Sequence, residues 1–152
     1  MFKIARELKL LDDFKIDVIY QDGNIIRFDM TNLFEELPQF KQLKNNKLFL
    51  NGHLDRGGYG IVWNEELDID ATYVYHHGKK VGYVSPSIND IFGSLIRNAM
   101  QEKNISQVEL ARLSKIDQAD IYRLINGQGN PTLAKIDKVI KALGKELEIK
   151  IK

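Results

Sequence analysis

The chain has 152 residues, of which 43% are hydrophobic and 28% are charged, and its formal net charge at pH 7 is +1. It contains no cysteine, which excludes disulfides and thiolate metal sites. The N-terminus lacks the apolar core of a signal peptide and no apolar run approaches the ~18 residues of a membrane span, so we expect a cytoplasmic protein with no membrane partner.

The two halves of the chain differ in their balance of charged residues. Residues 1–84 carry 11 Lys and Arg against 13 Asp and Glu, whereas residues 85–152 carry 11 against 8. The length itself lies between one domain and two. The second half is therefore mildly basic, and it is the part on which a polyanion would be expected to dock.

The first half is composed of short strands and turns. Strands are predicted at residues 3–10 and 14–20, and Asp22-Gly23-Asn24 is typical of a hairpin turn into a strand at residues 25–30. Alternation places four apolar side chains of the second strand on one face, namely Phe14, Ile16, Val18 and Tyr20.

Short helices and further strands complete this half. Thr31 or Asn32 can cap a helix through Glu36, and Pro38 can begin another that extends to about Lys44. Further short segments follow at residues 47–50, 61–63, 67–71, 73–75 and 81–84. We therefore predict a small, mostly antiparallel α+β domain over residues 1–84.

The segment Ser85-Pro86-Ser87 is the predicted domain boundary. Pro86 disfavours helix before it and Ser87 can cap a helix after it. The apolar residues that follow have the spacing of one buried helix face: Ile88, Ile91, Phe92, Leu95, Ile96, Ala99 and Met100. Asn104 suits the end of this helix, and the second predicted domain spans residues 87–152.

Two more helix starts and a terminal strand pattern follow. Ser106 caps one helix with Glu109 as its capping-box partner, and Thr132 caps the last helix, which Gly144 ends. Residues 145–152 alternate charged and apolar side chains, which predicts a short C-terminal strand. A strand at a chain end needs a partner, and we expect a symmetric exchange between two subunits.

Residues 106–127 have the pattern of two short helices joined by a tight turn. Such helices cross closely, which requires a small residue at the crossing, here Ala111, and apolar neighbours that bury the contact. These neighbours are Leu110, Ile116, Ile121 and Leu124. Asp117 can cap the second of the two helices.

The first turns of that second helix carry side chains able to read bases. They project Gln118, Ala119, Asp120, Tyr122 and Arg123. Glutamine can pair bidentately with adenine and arginine with guanine. Backbone amides near Gln107 and around residues 126–128, which include Gln128, suit phosphate groups.

The order and spacing of these pieces resemble the Xre/lambda-repressor-like helix-turn-helix family over about residues 88–144. The resemblance implies a bundle of four or five helices that binds palindromic double-stranded DNA operators as a homodimer. It also implies that Gln118, Ala119, Tyr122 and Arg123 read bases, and that Gln107 and Asn126 contact phosphate.

Two residues depart from that family's pattern. Lys115 replaces the glycine usual in the turn, where a left-handed backbone costs a non-glycine residue about 1 kcal/mol. Asp120 can accept a hydrogen bond from cytosine, but its negative charge can also repel phosphates.

The first half resembles a small bacterial family known only as a domain of unknown function. The resemblance spans residues 9–75 and rests on four short motifs, namely Asp22-Gly23, Phe28-Asp29, Gly60-Ile61-Val62-Trp63-Asn64 and Leu67-Asp68-Ile69-Asp70. Members often stand beside a second small gene, as in toxin–antitoxin pairs. The resemblance therefore implies a sensing or toxin-neutralising module with a small protein partner.

An enzyme is the less favoured interpretation. His53 with Asp55, or His76 and His77 with Asp68 and Asp70, have metal-ligating side chains, but adjacent residues on a strand point to opposite faces. The chain has no nucleophile elbow and no phosphate loop, so we expect no cofactor.

The function predicted from sequence is a dimeric, antitoxin-like repressor that regulates its own gene. The alternative is an interaction module whose helix-turn-helix no longer binds DNA.

Overall fold

The structure, a computed structural model, describes residues 1–152 and divides into two compact units, Met1–Ser85 and Pro86–Lys152. Each unit has its own cluster of buried apolar side chains. None of the helices is both long and apolar enough to span a bilayer.

The first unit contains two antiparallel sheets. The larger has the strand order β1-β2-β3-β7 and the smaller has the order β4-β5-β6. The strands are β1 (Ala5–Leu10), β2 (Lys15–Tyr20), β3 (Asn24–Asp29), β4 (His53–Leu54), β5 (Gly60–Asn64), β6 (Leu67–Asp70) and β7 (Lys79–Tyr83). The predicted antiparallel α+β architecture is confirmed.

Strand β2 shows why the larger sheet has one covered face. Ile16, Val18 and Tyr20 are buried, with exposed fractions of at most 2%. The alternate position Asp17 carries its carboxylate to the other face, where Arg27 of β3 donates to it at 2.7 Å. Asp17 is itself only 9% exposed, so its charge on this face is balanced by Arg27.

The β2–β3 connection is the predicted hairpin turn. Gly23 has φ +86°, which side chains of L-residues rarely adopt, and a Cβ there would collide with the carbonyl oxygen of Val84. The Asp22 carboxylate accepts a hydrogen bond from the Asn24 amide at 3.1 Å. The position therefore requires glycine for two reasons, backbone conformation and space.

Three short helices cover the first unit, and one of them corrects the sequence interpretation. They are α1 (Leu33–Glu36), α2 (Asn46–Phe49) and α3 (Ala71–His77). Residues 73–75 were expected to join the sheet, but the Asp70 carboxylate accepts from the amides of Thr72 and Tyr73 and begins a helix instead. Tyr73 still packs on the sheet, with its ring centroid 6.1 Å from that of Phe28.

A second correction concerns the approach to α1. A 3₁₀ turn at Met30–Asn32 precedes the helix, and a longer 3₁₀ segment, Pro38–Lys44, follows it. The Asp29 carboxylate accepts from the Thr31 amide at 3.0 Å. The capping side chain is thus Asp29, because the turn starts before the residues that were expected to cap it.

Trp63 of β5 belongs to the core of the first unit. It is 4% exposed, and its indole Nε1 donates to the carbonyl oxygen of Phe49 at 3.0 Å. The preceding glycine-rich loop is a turn held by Asp55, whose carboxylate accepts from the amides of Gly57 and Tyr59. These hydrogen bonds fix the turn that leads into β5.

The second unit is helical, as predicted. Its helices are α4 (Ile88–Lys103), α5 (Gln107–Ser114), α6 (Gln118–Ile125) and α7 (Leu133–Ala142). The side chains of Ser87, Ser106 and Thr132 accept from backbone amides three residues on, at 3.1, 3.1 and 3.2 Å. All three predicted serine and threonine caps are confirmed.

The buried face of α4 is narrower than its apolar pattern indicates. Phe92, Ile96, Ala99 and Met100 are buried, as α4 packs against α6 and α7. The remaining apolar side chains are 46–66% exposed, namely Ile88, Ile91 and Leu95. We call these three side chains the outer stripe of α4.

The C-terminal segment, residues 145–152, forms no strand within the single chain. Leu147 packs against the core of the second unit, whereas Ile149 and Ile151 are 58% and 97% exposed. The expected strand is absent here because a strand needs a neighbour for its backbone hydrogen bonds, and the chain provides none at this place.

Candidate nucleic-acid interface

Helices α5 and α6 are joined by the tight turn predicted from sequence. Leu110, Ile121 and Leu124 bury their contact, with exposed fractions of 0–3%. Lys115 adopts the left-handed conformation, with φ 54° and ψ 39°, and the Ile116 amide donates to Ala111 at 3.2 Å. A non-glycine residue therefore occupies the left-handed position, as expected.

The first turns of α6 are open to solvent. Gln118 and Ala119 are exposed, the Arg123 side chain is 58% exposed, and Tyr122 is half-buried. Because these side chains are carried on a helix whose opposite face is buried, their positions are set by the packing of Ile121 and Leu124. The arrangement presents polar side chains on the solvent-exposed face of a helix that is packed on its other side.

Asp117 occupies the position before the helix without capping it through its side chain. No capping hydrogen bond from its carboxylate is present, and its backbone carbonyl accepts from the amides of Asp120 and Ile121 at 2.9 and 3.0 Å. The predicted side-chain cap is therefore wrong, and the exposed Asp117 carboxylate lies at the N-terminus of α6, where the helix dipole favours negative charge.

Asp120 is held from two sides. One carboxylate oxygen accepts from Arg123 at 2.9 Å and the other from Lys135 of α7 at 2.7 Å. The hydrogen bond from Lys135 and its positive charge lower the pKa of Asp120, and the charge of Arg123 adds to this effect. The carboxylate is thus ionised and paired, so the repulsion of phosphates expected of a lone aspartate is reduced.

Sequence analysis did not find Lys135 as a member of this site. It lies 15 residues from Asp120 and belongs to another helix. Together with Lys115 and Lys138 it lines an open cleft beside the start of α6. No local motif connects these lysines, so only the packing of α7 brings them together.

Three further predicted residues lie around α6. Gln107, the first residue of α5, and Gln128, which follows α6, are half-buried. The Gln128 amide donates to the Arg123 carbonyl at 2.7 Å. Asn126 has an exposed fraction of 0%. Its side chain cannot reach a phosphate from this position, so the expected phosphate contact by Asn126 is corrected to a role within the fold.

The first unit has a compact polar cluster of its own at the β2–β3 hairpin. Tyr75 and Lys3 donate to one oxygen of Asp22, at 2.7 and 3.1 Å, and Asn24 donates to the Tyr75 hydroxyl at 2.7 Å. Burial by itself would raise the pKa of Asp22, but the hydrogen bonds from Tyr75, Asn24 and Lys3 outweigh it and lower the pKa. The cluster ties the hairpin turn to the N-terminus and α3.

His53 and His77 of the first unit have separate contacts with the backbone. His53 Nδ1 lies 3.0 Å from the carbonyl oxygen of Asn51, and His77 Nδ1 lies 2.8 Å from that of Tyr73. His77 also stacks on Tyr73, with ring centroids 3.9 Å apart. No group of three or more His, Cys, Asp or Glu side chains is arranged to hold a metal ion.

Comparison with known proteins gives a match for each unit. A helix-turn-helix family model matches residues 96–150, and the model of a family described as protein of unknown function (DUF2442) matches residues 5–80, which is half of the chain. No curated protein matches the chain.

One solved structure is similar over most of the chain. It is the crystal structure of a candidate DNA-binding protein from Nitrosomonas europaea, with 14% identity and a TM-score of 0.46, over 94% of this chain and 85% of the other.

Proposed function

The chain belongs to the DUF2442 family and carries a helix-turn-helix domain at its C-terminal end, and from this premise we propose that it is a sequence-specific, double-stranded DNA-binding transcriptional regulator. In helix-turn-helix proteins the second helix of the motif enters the major groove with its N-terminal residues facing base edges. Here that recognition helix is α6.

The observation that carries the proposal is the exposure of the first turns of α6. Gln118 has the donor and acceptor that match adenine, Arg123 has the paired donors that match guanine, and Ala119 offers an apolar contact for a thymine methyl group. Tyr122, half-buried beside them, completes the set of base-facing residues.

Phosphate contacts are proposed at the edges of the same surface. The backbone amides at the start of α5, near Gln107, are suited to an anion by the helix dipole, and Gln128 lies at the other end of the motif. Lys115 and Lys138 add positive charge beside α6. Such contacts fix orientation on DNA, whereas the side chains of α6 would select the sequence.

We further propose that the protein binds a palindromic operator as a homodimer. A single module buries little area on DNA, and two half-sites about 34–36 Å apart are the usual solution for this motif. The surface for a second copy is the C-terminal segment, whose Ile149 and Ile151 are exposed, together with the outer stripe of α4. Pairing of the segment with its counterpart would supply the missing strand neighbour.

Autoregulation as a repressor, with a small toxin-like protein bound to the first unit, is the most specific form of the proposal. It is supported by the resemblance of that unit to proteins encoded in two-gene arrangements. The acidic balance of residues 1–84 suits a basic partner. Co-expression with the product of the adjacent gene, followed by size-exclusion chromatography, tests it; a product that elutes separately contradicts the antitoxin-like role.

The DNA-binding proposal is tested by gel shift with the duplex upstream of the protein's own gene. Gln118→Ala and Arg123→Ala should each lose about 1–3 kcal/mol of binding and relax one operator position. Lys141→Ala is the matched control. It also removes one positive charge from the helical unit, but Lys141 pairs with Asp137 at 2.7 Å and is not among the proposed DNA contacts. If the unmodified protein prefers its promoter no more than random DNA at moderate salt, the helical unit is an interaction module instead.

A further inference from the structure

Asp120 connects the recognition helix to a base-facing arginine and to the neighbouring helix. One turn along α6, Arg123 donates through one terminal guanidinium nitrogen to Asp120 at 2.9 Å, and Lys135 of α7 donates to the other oxygen at 2.7 Å. The exposed fractions of the side chains are 58% for Arg123, 30% for Asp120 and 38% for Lys135. The three groups form one network at the edge of the proposed DNA surface.

This geometry does not suit direct reading of a base by Asp120. Each oxygen of Asp120 already accepts from a cation, so a cytosine amino group would have to share the carboxylate with two charge-assisted hydrogen bonds. Its charge is compensated by two cations, one on each side. Asp120 therefore holds its neighbours in place rather than facing DNA.

The ion pair between Asp120 and Arg123 differs from an ordinary surface ion pair because Lys135 also binds Asp120. An isolated exposed pair is weak, because both side chains lose freedom and water screens the charges. Here Asp120 is also fixed from α7, and the Lys135 amide is itself bonded to the Thr132 hydroxyl at 3.2 Å. Asp120 is consequently a firm acceptor for Arg123.

Arg123 still has hydrogen-bond donors available for a base while it is bonded to Asp120. With one terminal nitrogen occupied by Asp120, the second terminal nitrogen and Nε remain on the planar fork, and two parallel donors match the O6 and N7 acceptors of guanine. Holding the fork in advance reduces the freedom that Arg123 loses on binding.

We propose, on the basis of the DNA-binding function proposed above, that Asp120 is a positioning residue that orients Arg123 towards guanine, so that the operator carries a G·C pair at the position contacted by Arg123. Asp120 acts through Arg123 and does not itself read a base. Lys135 supports the arrangement from α7.

The test starts from DNA selected by the full-length protein out of a random double-stranded library. The position contacted by Arg123 is the one at which Arg123→Ala loses base preference. At that position the unmodified protein should bind guanine about 5–150-fold better than the other bases, the range expected for one bidentate pair. In Asp120→Asn the preference should fall to about threefold or less, because the neutral amide holds Arg123 weakly.

Two comparisons separate positioning from a general effect of charge. Asp137→Asn also removes one negative charge from the helical unit, but Asp137 pairs with Lys141 of α7, at 2.7 Å, and not with Arg123. This variant should therefore keep the full guanine preference. In the Arg123→Ala background, Asp120→Asn should cause no further loss of preference at that position, since the two residues act as one unit. Circular dichroism checks that every variant is folded.

The outcomes distinguish the inference from the function on which it rests. If Asp120→Asn retains the guanine preference of the unmodified protein, Asp120 does not position Arg123. If instead it loses a cytosine preference at a neighbouring position, Asp120 reads that base directly, which also overturns the inference. A protein that selects no sequence from the library overturns the DNA-binding proposal and the inference together.

Discussion

Lys115 shows how a single backbone conformation limits the stability of the helical unit. It occupies the left-handed region at φ 54°, and so does Asn104 at the end of α4, at φ 53°. Asparagine tolerates this region better than lysine, because its short polar side chain can bond locally. The two residues therefore form a natural pair for comparison.

Lys115→Gly should stabilise the helical unit by up to about 1 kcal/mol, because glycine removes the steric penalty of the left-handed conformation. Asn104→Gly, at a nearly identical φ, should gain less. Urea unfolding followed by circular dichroism measures both changes. A loss of stability in Lys115→Gly would show that the lysine side chain contributes more by its contacts than it costs by its backbone.

Asp22 makes the first unit sensitive to acid. Its pKa is lowered because the hydrogen bonds from Tyr75, Asn24 and Lys3 outweigh the effect of burial. A carboxylate whose pKa is lower in the folded state contributes stability above its unfolded pKa of about 4, and this contribution is lost as pH falls through the folded value.

Asp22→Asn should therefore reduce the stability difference between pH 7 and pH 3 relative to the unmodified protein. The measurement is urea unfolding of both proteins at a series of pH values, followed by near-ultraviolet signals of the tyrosines. Asp13→Asn, which changes an exposed aspartate in the β1–β2 turn, is the control for the removal of one negative charge from the first unit. Equal pH dependence of Asp22→Asn and the unmodified protein contradicts the stabilising role of Asp22.

At the scale of elements, the helical unit has three helix starts with a side-chain cap and one without. Ser106 accepts from the Glu109 amide at 3.1 Å and begins α5, whereas Asp117 stands before α6 with no capping hydrogen bond from its side chain. The start of α6 is therefore stabilised by packing and by its backbone turn rather than by a cap.

Ser106→Ala should destabilise the helical unit by about 1 kcal/mol, the usual loss for a capping serine. Asp117→Ala should change stability by only a few tenths of a kcal/mol, through the loss of a favourable charge near the helix N-terminus. Thermal unfolding of the two variants tests the contrast. Equal losses in both would mean that the Asp117 side chain does cap α6 in solution.

At the scale of the whole molecule, several large apolar side chains of the helical unit remain exposed in the single chain. Ile149 and Ile151 of the C-terminal segment and the outer stripe of α4 are exposed. Burying one isoleucine contributes roughly 1.5–3 kcal/mol. Burial of these side chains against the proposed second copy would stabilise a dimer, which would also bring two recognition helices to one operator.

Ile149→Lys should weaken dimerisation at least about tenfold, since each 1.4 kcal/mol is a factor of ten. Lys150→Ala, on the alternate side of the same segment, should leave the dimer intact. Analytical ultracentrifugation over a range of protein concentrations gives the dimer Kd directly. A monomeric unmodified protein, or a dimer insensitive to Ile149→Lys, contradicts the proposed use of this segment.

Local features of this chain could be predicted from the sequence because their causes lie within a few residues. The Gly23 turn, the serine and threonine caps, the left-handed Lys115 and the two helices of the motif each depend on near neighbours along the chain. The capping role of Asp29 and the helix at residues 71–77 were missed. In both places an aspartate carboxylate accepts backbone amides and begins a helical turn that the sequence pattern did not predict.

Which residues lie together around α6 depends on the tertiary structure. Packing of α7 beside α6 brings Lys135 to Asp120, and burial removes Asn126 from the surface. The sequence by itself determined which helix carries the side chains that we propose to face bases, since helical period and turn residues are local properties of the chain. Which of those residues face solvent, and which are held by a partner from a distant helix, depends on contacts between elements far apart in sequence, for which no local pattern exists.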